Sequence, residues 1–299
     1  YLPDDRIGRT GAERQYETLL RGRNGTAIER RDRGGRLLTS YHPEEPVAGC
    51  DVTLTIDPTL QRTAEDLLQS AKKRGQNYFS SDPHGEKNSS APFSGAIAVM
   101  DVHGGAVRVA AALPAFDPNV FARGRTDEIA ALLADPTHPL FDRVCSMAIP
   151  PGSTFKVVTA AALLESAAVK PEESFFCQGY LRQPDRQRCE IYVRQGIGHG
   201  DINMSDALAM SCNVYFFHFA GKMGPRPLVD WAERFGFGRR TGIDLPGEPE
   251  GILPSPELLR EKSKDWRLAD TQSMAIGQGA LTVTPLQILR MMAAVANGG

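Results

Sequence analysis

The chain has 299 residues, of which 41% are hydrophobic and 23% charged, a composition typical of an ordinary globular protein with room for one large domain or two. A net charge of −2 gives no reason to expect nucleic acid as a partner. The longest nearly continuous apolar run, VVTAAALL at 157–164, is too short to span a bilayer, and no leader-like segment opens the sequence, so any membrane anchor is expected outside this chain.

The first 56 residues are rich in Arg and Gly and predict a small β-rich region. The run TAIERRDRGGRLLTSY, at 26–41, has strand-like segments on both sides of the turn residues 32–35. Hydrophobic and polar residues then alternate in VTLTI, at 52–56, which predicts a half-buried strand.

The next stretch predicts a helix, a loop and a pair of strands. Residues 59–74 have helical spacing, and the polar insert at 75–93 is expected to be a mobile loop. Two strand-like runs follow, at 95–101 and 106–113, joined by the turn residues 103–105. From about residue 153 the pattern is mostly helical to the end of the chain.

A serine and a lysine stand three residues apart in IPPGSTFKVV, at 149–158. The two prolines prevent a preceding helix and Gly152 permits a sharp turn, so Ser153 is expected at a helix N-terminus with Lys156 one turn later on the same face. The helix that follows is apolar nearly all round, and burial there would lower the pKa of the lysine, leaving an amine that can accept the serine proton. The alternative is a capping serine with a lysine that extends to solvent.

Two other short patterns bear on this interpretation. Ser70 and Lys73 repeat the S-x-x-K spacing, but they lie at a charged helix end and predict only solvated surface. Ser211-Cys212-Asn213 is the one S-x-N in the chain and interrupts a predicted helical stretch. It is either a polar helix turn or a second hydroxyl and a carboxamide that complete a site for an amide substrate.

IPPGSTFK and SCN resemble the first and second boxes of the penicillin-interacting serine acyltransferases. Seven longer segments resemble the class B penicillin-binding proteins, and TGIDLPGE and IGQGALTVTPLQ favour the elongation branch, similar to penicillin-binding protein 2, over the septal branch. These segments are GRTGAERQYETLLRG (8–22), DVTLTIDPTLQ (51–61), AFDPN (115–119), PLFDRVCSMAIPPGSTFK (139–156), GHGDINMSDALAMSCN (198–213), FGFGRRTGIDLPGE (235–248) and IGQGALTVTPLQ (276–287).

The resemblance implies an α+β fold, a serine β-lactamase-like transpeptidase domain with an antiparallel sheet flanked by helices. Residues 1–56 would be the end of a β-rich N-terminal pedestal or dimerisation domain, and 57–299 the transpeptidase domain. The family's third box, K-[ST]-G, does not occur, and RRTG at 239–242 belongs instead to the TGIDLPGE segment. We therefore expect the C-terminal part of the domain to be missing, with an impaired acyltransferase as the result.

The activity that the resemblance implies is D,D-transpeptidation of peptidoglycan stem peptides, with β-lactams acylating the same serine. Ser153 would attack the carbonyl between the terminal D-alanines, Lys156 would act as general base, Ser211 would relay the proton, and Asn213 would bind the substrate amide. No cofactor is needed for this chemistry. A D,D-carboxypeptidase and a non-catalytic penicillin-binding sensor or scaffold remain as alternatives, although the pedestal-like segment favours the enzyme.

The resemblance also implies a location and partners. The protein would act at the extracytoplasmic (periplasmic) face of the bacterial cytoplasmic membrane, anchored by an N-terminal helix outside this chain. A glycan polymerase of the SEDS family and the membrane proteins of the elongation machinery would be its partners.

The five cysteines raise a separate question. Cys50 and Cys145 are expected to be isolated, buried thiols. A second group of four residues has three interpretations: a Cys177–Cys189 disulfide, typical of an extracytoplasmic protein, a structural Zn²⁺ site that pins the 177–199 hairpin to the S-x-N turn, or neither. The resemblance extends to elongation-type relatives that carry a metal at matching positions. The four residues are Cys177, Cys189, His199 and Cys212.

Overall fold

The computed structural model describes residues 7–81 and 93–299. The chain divides into two compact units, each described separately below. The first consists of Tyr1–Thr55 with Gly242–Gly247, and the second of Ile56–Thr241 with Glu248–Gly299.

The first unit contains two short helices and one β-hairpin. Its elements are α1 (Gly11–Gln15), α2 (Glu17–Arg21), β1 (Thr26–Arg31) and β2 (Leu37–Glu44), the strands being antiparallel. The predicted hairpin is confirmed, and Asp32 Oδ1 closes its turn by accepting from the backbone N–H groups of Gly34 at 2.8 Å and Arg36 at 2.9 Å. Within the same unit, the hydroxyl of Tyr16 donates to the carboxylate of Asp244 and so holds the 242–247 segment.

The strand predicted at 52–56 is wrong. These residues adopt no regular structure, and the side chain of Leu54 is 54% exposed. Alternation of apolar and polar residues indicates a strand only where the segment joins a sheet, and 52–56 belong to none of the three sheets in the described residues.

The second unit begins with a long helix packed on an antiparallel pair of strands. These are α3 (Pro58–Ser81), β3 (Gly95–Met100) and β4 (Val107–Leu113), so the predicted helix and strand pair are confirmed. Asp57 Oδ1 accepts from the backbone of Thr59 at 2.8 Å and caps α3. The loop predicted at 75–93 is partly wrong, because 75–81 continue the helix, and 82–92 lie outside the described residues.

The rest of the second unit is mostly helical, as the sequence predicts. It also has a short antiparallel pair, β5 (Phe175–Cys177) with β6 (Gly200–Ile202), so every sheet in the described ranges has two strands. Its helices are α4 (Asn119–Ala122), α5 (Thr126–Ala134), α6 (Lys156–Glu165), α7 (Glu190–Gln195), α8 (Met204–Ala209), α9 (Asn213–Met223), α10 (Pro225–Arg234), α11 (Pro256–Glu261), α12 (Leu268–Ala275) and α13 (Pro285–Asn297).

Helix α6 is the centre of this unit and decides where the site lies. It packs against α8, α9 and α10, and Val158, Ala162 and Leu163 on its different faces are fully buried. An all-round apolar helix is stable only in such a core, so its first residues are held firmly at the core's edge. None of the helices in residues 7–81 and 93–299 has the length and apolar character needed to cross a membrane.

Candidate active site

The start of α6 places Ser153 at the surface. Gly152–Phe155 form one turn of 3-10 helix that leads directly into α6, so the predicted helix N-terminus is tighter than an α-helical one. Gly152 has a positive φ of 59° and donates its backbone N–H to the carbonyl oxygen of Gly277 at 2.9 Å. Ser153 is exposed and its side chain caps no backbone N–H, so the capping interpretation does not apply.

The ammonium group of Lys156 is buried and fully hydrogen-bonded. The residue is 1% exposed, and Nζ donates to the carbonyl oxygen of Ser211 at 2.7 Å, to Ser211 Oγ at 2.9 Å and to Asn213 Oδ1 at 2.7 Å. Burial lowers the pKa of Lys156 to about 8. The lysine therefore does not extend to solvent.

The S-x-N turn lies between α8 and α9 and meets the start of α6. Ser211 adopts a left-handed backbone with φ of 55°, which is uncommon for serine and directs its side chain into the site. Its Oγ donates to Ser153 Oγ at 2.9 Å. Asn213 Nδ2 donates to the carbonyl oxygen of Arg188 at 3.1 Å, which fixes the orientation of its carboxamide.

The structure thus brings together all four residues that the sequence singled out for chemistry. An unbroken path of hydrogen bonds runs from Lys156 Nζ through Ser211 Oγ to Ser153 Oγ. Ser70 and Lys73, by contrast, are both exposed on α3, as expected for surface residues.

A cavity of about 660 Å³ opens onto Ser153. Gln278 of the Gly277-Gln278-Gly279 segment lines it. Sequence reasoning missed Glu190, Ile191, Met210 and Ile276, because nothing in their local pattern shows that they face the serine. The lining residues are Ser153, Glu190, Ile191, His199, Met210, Ser211, Asn213, Ile276 and Gln278.

Three cysteines and one histidine cluster directly behind the S-x-N turn. The Sγ atoms of Cys177 and Cys189 are 3.7 Å apart, those of Cys189 and Cys212 are 3.5 Å apart, and Cys177 Sγ is 3.5 Å from His199 Nδ1. All four ligand atoms lie within 4.8 Å of one another. All five cysteines lie in the described ranges and none forms a disulfide; Cys145 is buried, but the prediction for Cys50 is wrong, since it is exposed.

The cluster fits tetrahedral Zn²⁺. With Zn–S bonds of about 2.3 Å and a Zn–N bond of about 2.0–2.1 Å, tetrahedral geometry puts two sulfurs about 3.8 Å apart and sulfur and nitrogen about 3.5 Å apart. The three cysteines are fully buried, and their mutual hydrogen bonds lower the pKa of Cys177 while raising the pKa of Cys189 and Cys212.

The cluster also contacts the backbone of α9. The N–H groups of Val214 and Tyr215 donate to Cys189 Sγ at 3.5 Å and Cys212 Sγ at 3.4 Å. Since Cys212 stands between Ser211 and Asn213, whatever fixes the thiols also fixes the side chains around Lys156.

Replacing Gly277 by alanine should slow acylation of Ser153. A Cβ at Gly277 would overlap the carbonyl oxygen of Gly152 and displace the residue before the serine. Misplacement of a reacting group by about 1 Å can cost about 10²-fold in rate. The matched control is Gly105→Ala, which has nearly the same φ (70° against 69°) but open space around it. Labelling by fluorescent penicillin should slow in the first variant alone, and equal slowing in both would contradict the steric explanation.

The fold and the site identify a known class. A protein-family model described as "Penicillin binding protein transpeptidase domain" matches residues 95–299. A second family model, described as "Penicillin-binding Protein dimerisation domain", matches residues 1–54. The chain belongs to the penicillin-binding protein transpeptidase family. The resemblance seen in the sequence, and the α+β transpeptidase fold it implies, are confirmed.

Within this family the chain is similar to proteins of the penicillin-binding protein 2 branch. It is 33% identical over 302 residues to the peptidoglycan D,D-transpeptidase MrdA of Acinetobacter baumannii, covering 100% of this chain and 41% of that protein. Against MrdA of Escherichia coli K12 the identity is 31% over 301 residues, covering 44% of that protein. The chain therefore spans less than half the length of these curated relatives.

Among solved structures, a peptidoglycan synthase complex contains a chain that matches with a TM-score of 0.85 and 34% identity, covering 100% of this chain and 51% of that one.

Proposed function

We propose that this chain carries the acylation site of a serine-type peptidoglycan D,D-transpeptidase of the elongation branch. The observation that carries the proposal is the hydrogen-bond path from Lys156 Nζ through Ser211 Oγ to Ser153 Oγ. The family membership and the similarity to proteins named D,D-transpeptidase support it.

Loss of one proton from the Lys156 ammonium would make this residue a base that acts on Ser153 through Ser211. With three acceptors around it, Lys156 Nζ is arranged as an ammonium with three donors. The neutral amine has two donors and one lone pair, so the Ser211 hydroxyl can reverse and donate to Nζ. Ser211 Oγ then accepts from Ser153, whose oxygen gains nucleophilic character.

The reaction that follows has two steps. Ser153 Oγ attacks the carbonyl carbon between the two terminal D-alanines, its proton passes to Lys156, and Ser211 relays a proton to the nitrogen of the departing D-alanine. The backbone N–H of Ser153 is one donor to the developing oxyanion. Asn213 binds the amide of the stem peptide. An amine of a second stem peptide then attacks the acyl-serine ester, forming the cross-link and restoring the Ser153 hydroxyl. A β-lactam enters the first step and leaves a stable acyl group.

The rate of acylation should depend on pH through Lys156. Burial lowers the pKa of this lysine to about 8, so the protonated, inactive form predominates below that value and the neutral base above it. We expect the second-order rate constant for penicillin acylation to fall about tenfold per pH unit below 8 and to level off above it. A rate constant that stays flat from pH 6 to 9 would contradict the assignment of Lys156 as base.

We further propose that Cys177, Cys189, His199 and Cys212 hold a structural Zn²⁺. The metal would cross-link β5, the start of α7 and the S-x-N turn and would take no part in the acyl chemistry, which needs no cofactor. The near-tetrahedral spacing of the ligand atoms supports this proposal, together with the complete burial of the three thiols.

The location and partners proposed for the protein follow from its substrate class and its relatives. Peptidoglycan stem peptides lie on the extracytoplasmic side of the bacterial cytoplasmic membrane, and we propose that the protein works there. One structural neighbour belongs to a peptidoglycan synthase complex, and another is penicillin-binding protein 2 of Helicobacter pylori bound to MreC. These support a glycan polymerase of the SEDS family and other elongation proteins as partners.

A product assay on the full-length protein tests the proposed function. Supplied with lipid-linked or polymerised peptidoglycan, a transpeptidase yields cross-linked dimeric stem peptides. Release of D-alanine without dimers would instead indicate a carboxypeptidase, and penicillin binding without either product a sensor.

A further inference from the structure

The active-site cavity carries one carboxylate. Among the described residues that line it, Glu190 is the acidic one and none is a lysine or arginine. The other lining side chains are neutral or apolar, apart from His199, which belongs to the thiol cluster. Of the described lining side chains, Glu190 is therefore the one that can pair with a cationic group of a substrate.

The position of Glu190 is fixed relative to the S-x-N turn. Glu190 is the first residue of α7, and the two residues before it are both tied to the turn. The carbonyl oxygen of Arg188 accepts from Asn213 Nδ2 at 3.1 Å, and Cys189 Sγ lies 3.5 Å from Cys212 Sγ. Glu190 is thus held on the side of the cavity where Asn213 would bind the substrate amide.

Glu190 can accept a second cation. Its Oε1 pairs with Arg194 Nε at 2.8 Å, but both side chains are 69% exposed and the pair lies one turn apart on a short helix. Such pairs contribute little and rearrange readily. A carboxylate has about four acceptor positions, so an ammonium with three donors can share it with Arg194 or replace that arginine.

We propose that Glu190 is a specificity-determining residue that binds an ammonium group of the stem peptide. This inference rests on the proposed D,D-transpeptidase function. Two amines of a stem peptide can reach the cavity: a side-chain amine of the donor, near the amide held by Asn213, and the acceptor amine that approaches the acyl-serine. Both are positively charged before reaction. A penicillin without an amino group makes no such contact.

The first experiment tests whether Glu190 binds the side-chain amine of the donor peptide. It measures acylation of the full-length protein by two peptides ending in D-Ala-D-Ala. One has a free side-chain amine next to the D-alanines and the other has that amine acetylated. The wild type should react faster with the free amine, by about 2- to 5-fold as expected for an exposed ion pair. Glu190→Gln should remove this preference, Glu190→Asp should retain it, and Glu190→Lys should reverse it. The preference should also shrink as NaCl is added.

The second experiment tests whether Glu190 binds the amine of the acceptor, and it starts from the preformed acyl-enzyme. The measured quantity is the concentration of amine acceptor that gives half-maximal aminolysis, compared with hydrolysis by water in the same reaction. If Glu190 binds the acceptor, Glu190→Gln should raise this concentration by about 2- to 5-fold and leave hydrolysis unchanged. Glu261→Gln, an exposed glutamate that does not line the cavity, is the control and should behave as wild type.

Penicillin labelling separates failure of this inference from failure of the proposed function. If penicillin does not label wild-type Ser153, the proposed function is wrong. Normal labelling and a normal melting temperature in Glu190→Gln show that the site is intact. An effect in either the donor or the acceptor experiment then supports the inference and identifies the source of the amine. If penicillin labelling is normal and Glu190→Gln has no effect in either experiment, the inference about Glu190 is wrong.

Discussion

Replacing Lys156 by alanine in the full-length protein should slow acylation of Ser153 by about 10²–10⁴-fold, the usual contribution of a positioned general base. No other ammonium or imidazole is hydrogen-bonded to Ser153 Oγ or Ser211 Oγ among the described residues, so no second base replaces it. The measurement is the second-order rate constant for a fluorescent penicillin.

Two further variants separate chemistry from structure. Lys156→Met keeps a side chain of similar length in the buried position and should be as slow as Lys156→Ala, because neither has a base. Lys73→Ala changes the lysine of the exposed S-x-x-K and should acylate at the wild-type rate. A rate for Lys156→Met within about tenfold of the wild type would exclude the proposed role, given the size expected of general-base catalysis.

Of the changes proposed for this protein, removal of the Zn²⁺ should lower the free energy of unfolding the most. We expect about one Zn²⁺ per chain by native mass spectrometry, as for a four-ligand structural site. A metal that binds only the folded state stabilises it by about 4 kcal/mol when its free concentration is 1,000 times Kd. In a domain of 150–250 residues this corresponds to roughly 8–16 °C in Tm. Chelation, or Cys212→Ser, should lower Tm by that order and slow acylation, because Ser211 and Asn213 flank the lost ligand.

Cys50→Ser is the control for the metal site, since this thiol is exposed and lies outside the cluster. Its metal content and Tm should equal those of the wild type. The zinc proposal fails if the native protein contains no metal, is two protons lighter than the reduced chain and yields a linked 177–189 peptide on digestion. That result would show that the disulfide forms in solution, in place of the free thiols of the structure.

Local patterns in the sequence were sufficient to predict two strand pairs and the helix start that carries Ser153. The hairpin at 26–41 and the strands at 95–101 and 106–113 are each closed by turn residues within a few positions, so their partners are also their neighbours in sequence. The Pro-Pro-Gly sequence before Ser153 restricts the backbone strongly, and this restriction favours the start of a helix at Ser153. Burial of Lys156 followed from the apolar character of the residues after it.

Features that depend on distant parts of the chain could not be predicted from local sequence patterns. The VTLTI pattern at 52–56 alternates correctly but forms no regular strand, and Cys50 is exposed although cysteine is usually buried. Helix α3 continues through the polar residues 75–81, which local composition assigned to a loop. Glu190 faces the cavity because the cluster fixes Cys189, a contact between residues 23 positions apart.

The association of 242–247 with the first unit is another feature of this kind. It includes a hydrogen bond between Tyr16 and Asp244, which are 228 positions apart in the sequence. Family resemblance identified the segment, but gave no indication of which unit contains it.

The central claim is that Ser153 is the nucleophile, and the most direct test is to locate a penicillin adduct on the full-length protein by peptide mapping. The proposed mechanism predicts one adduct, on Ser153, with no labelling of Ser153→Ala and normal labelling of Ser70→Ala. An adduct on any other serine, or undiminished labelling of Ser153→Ala, would contradict it.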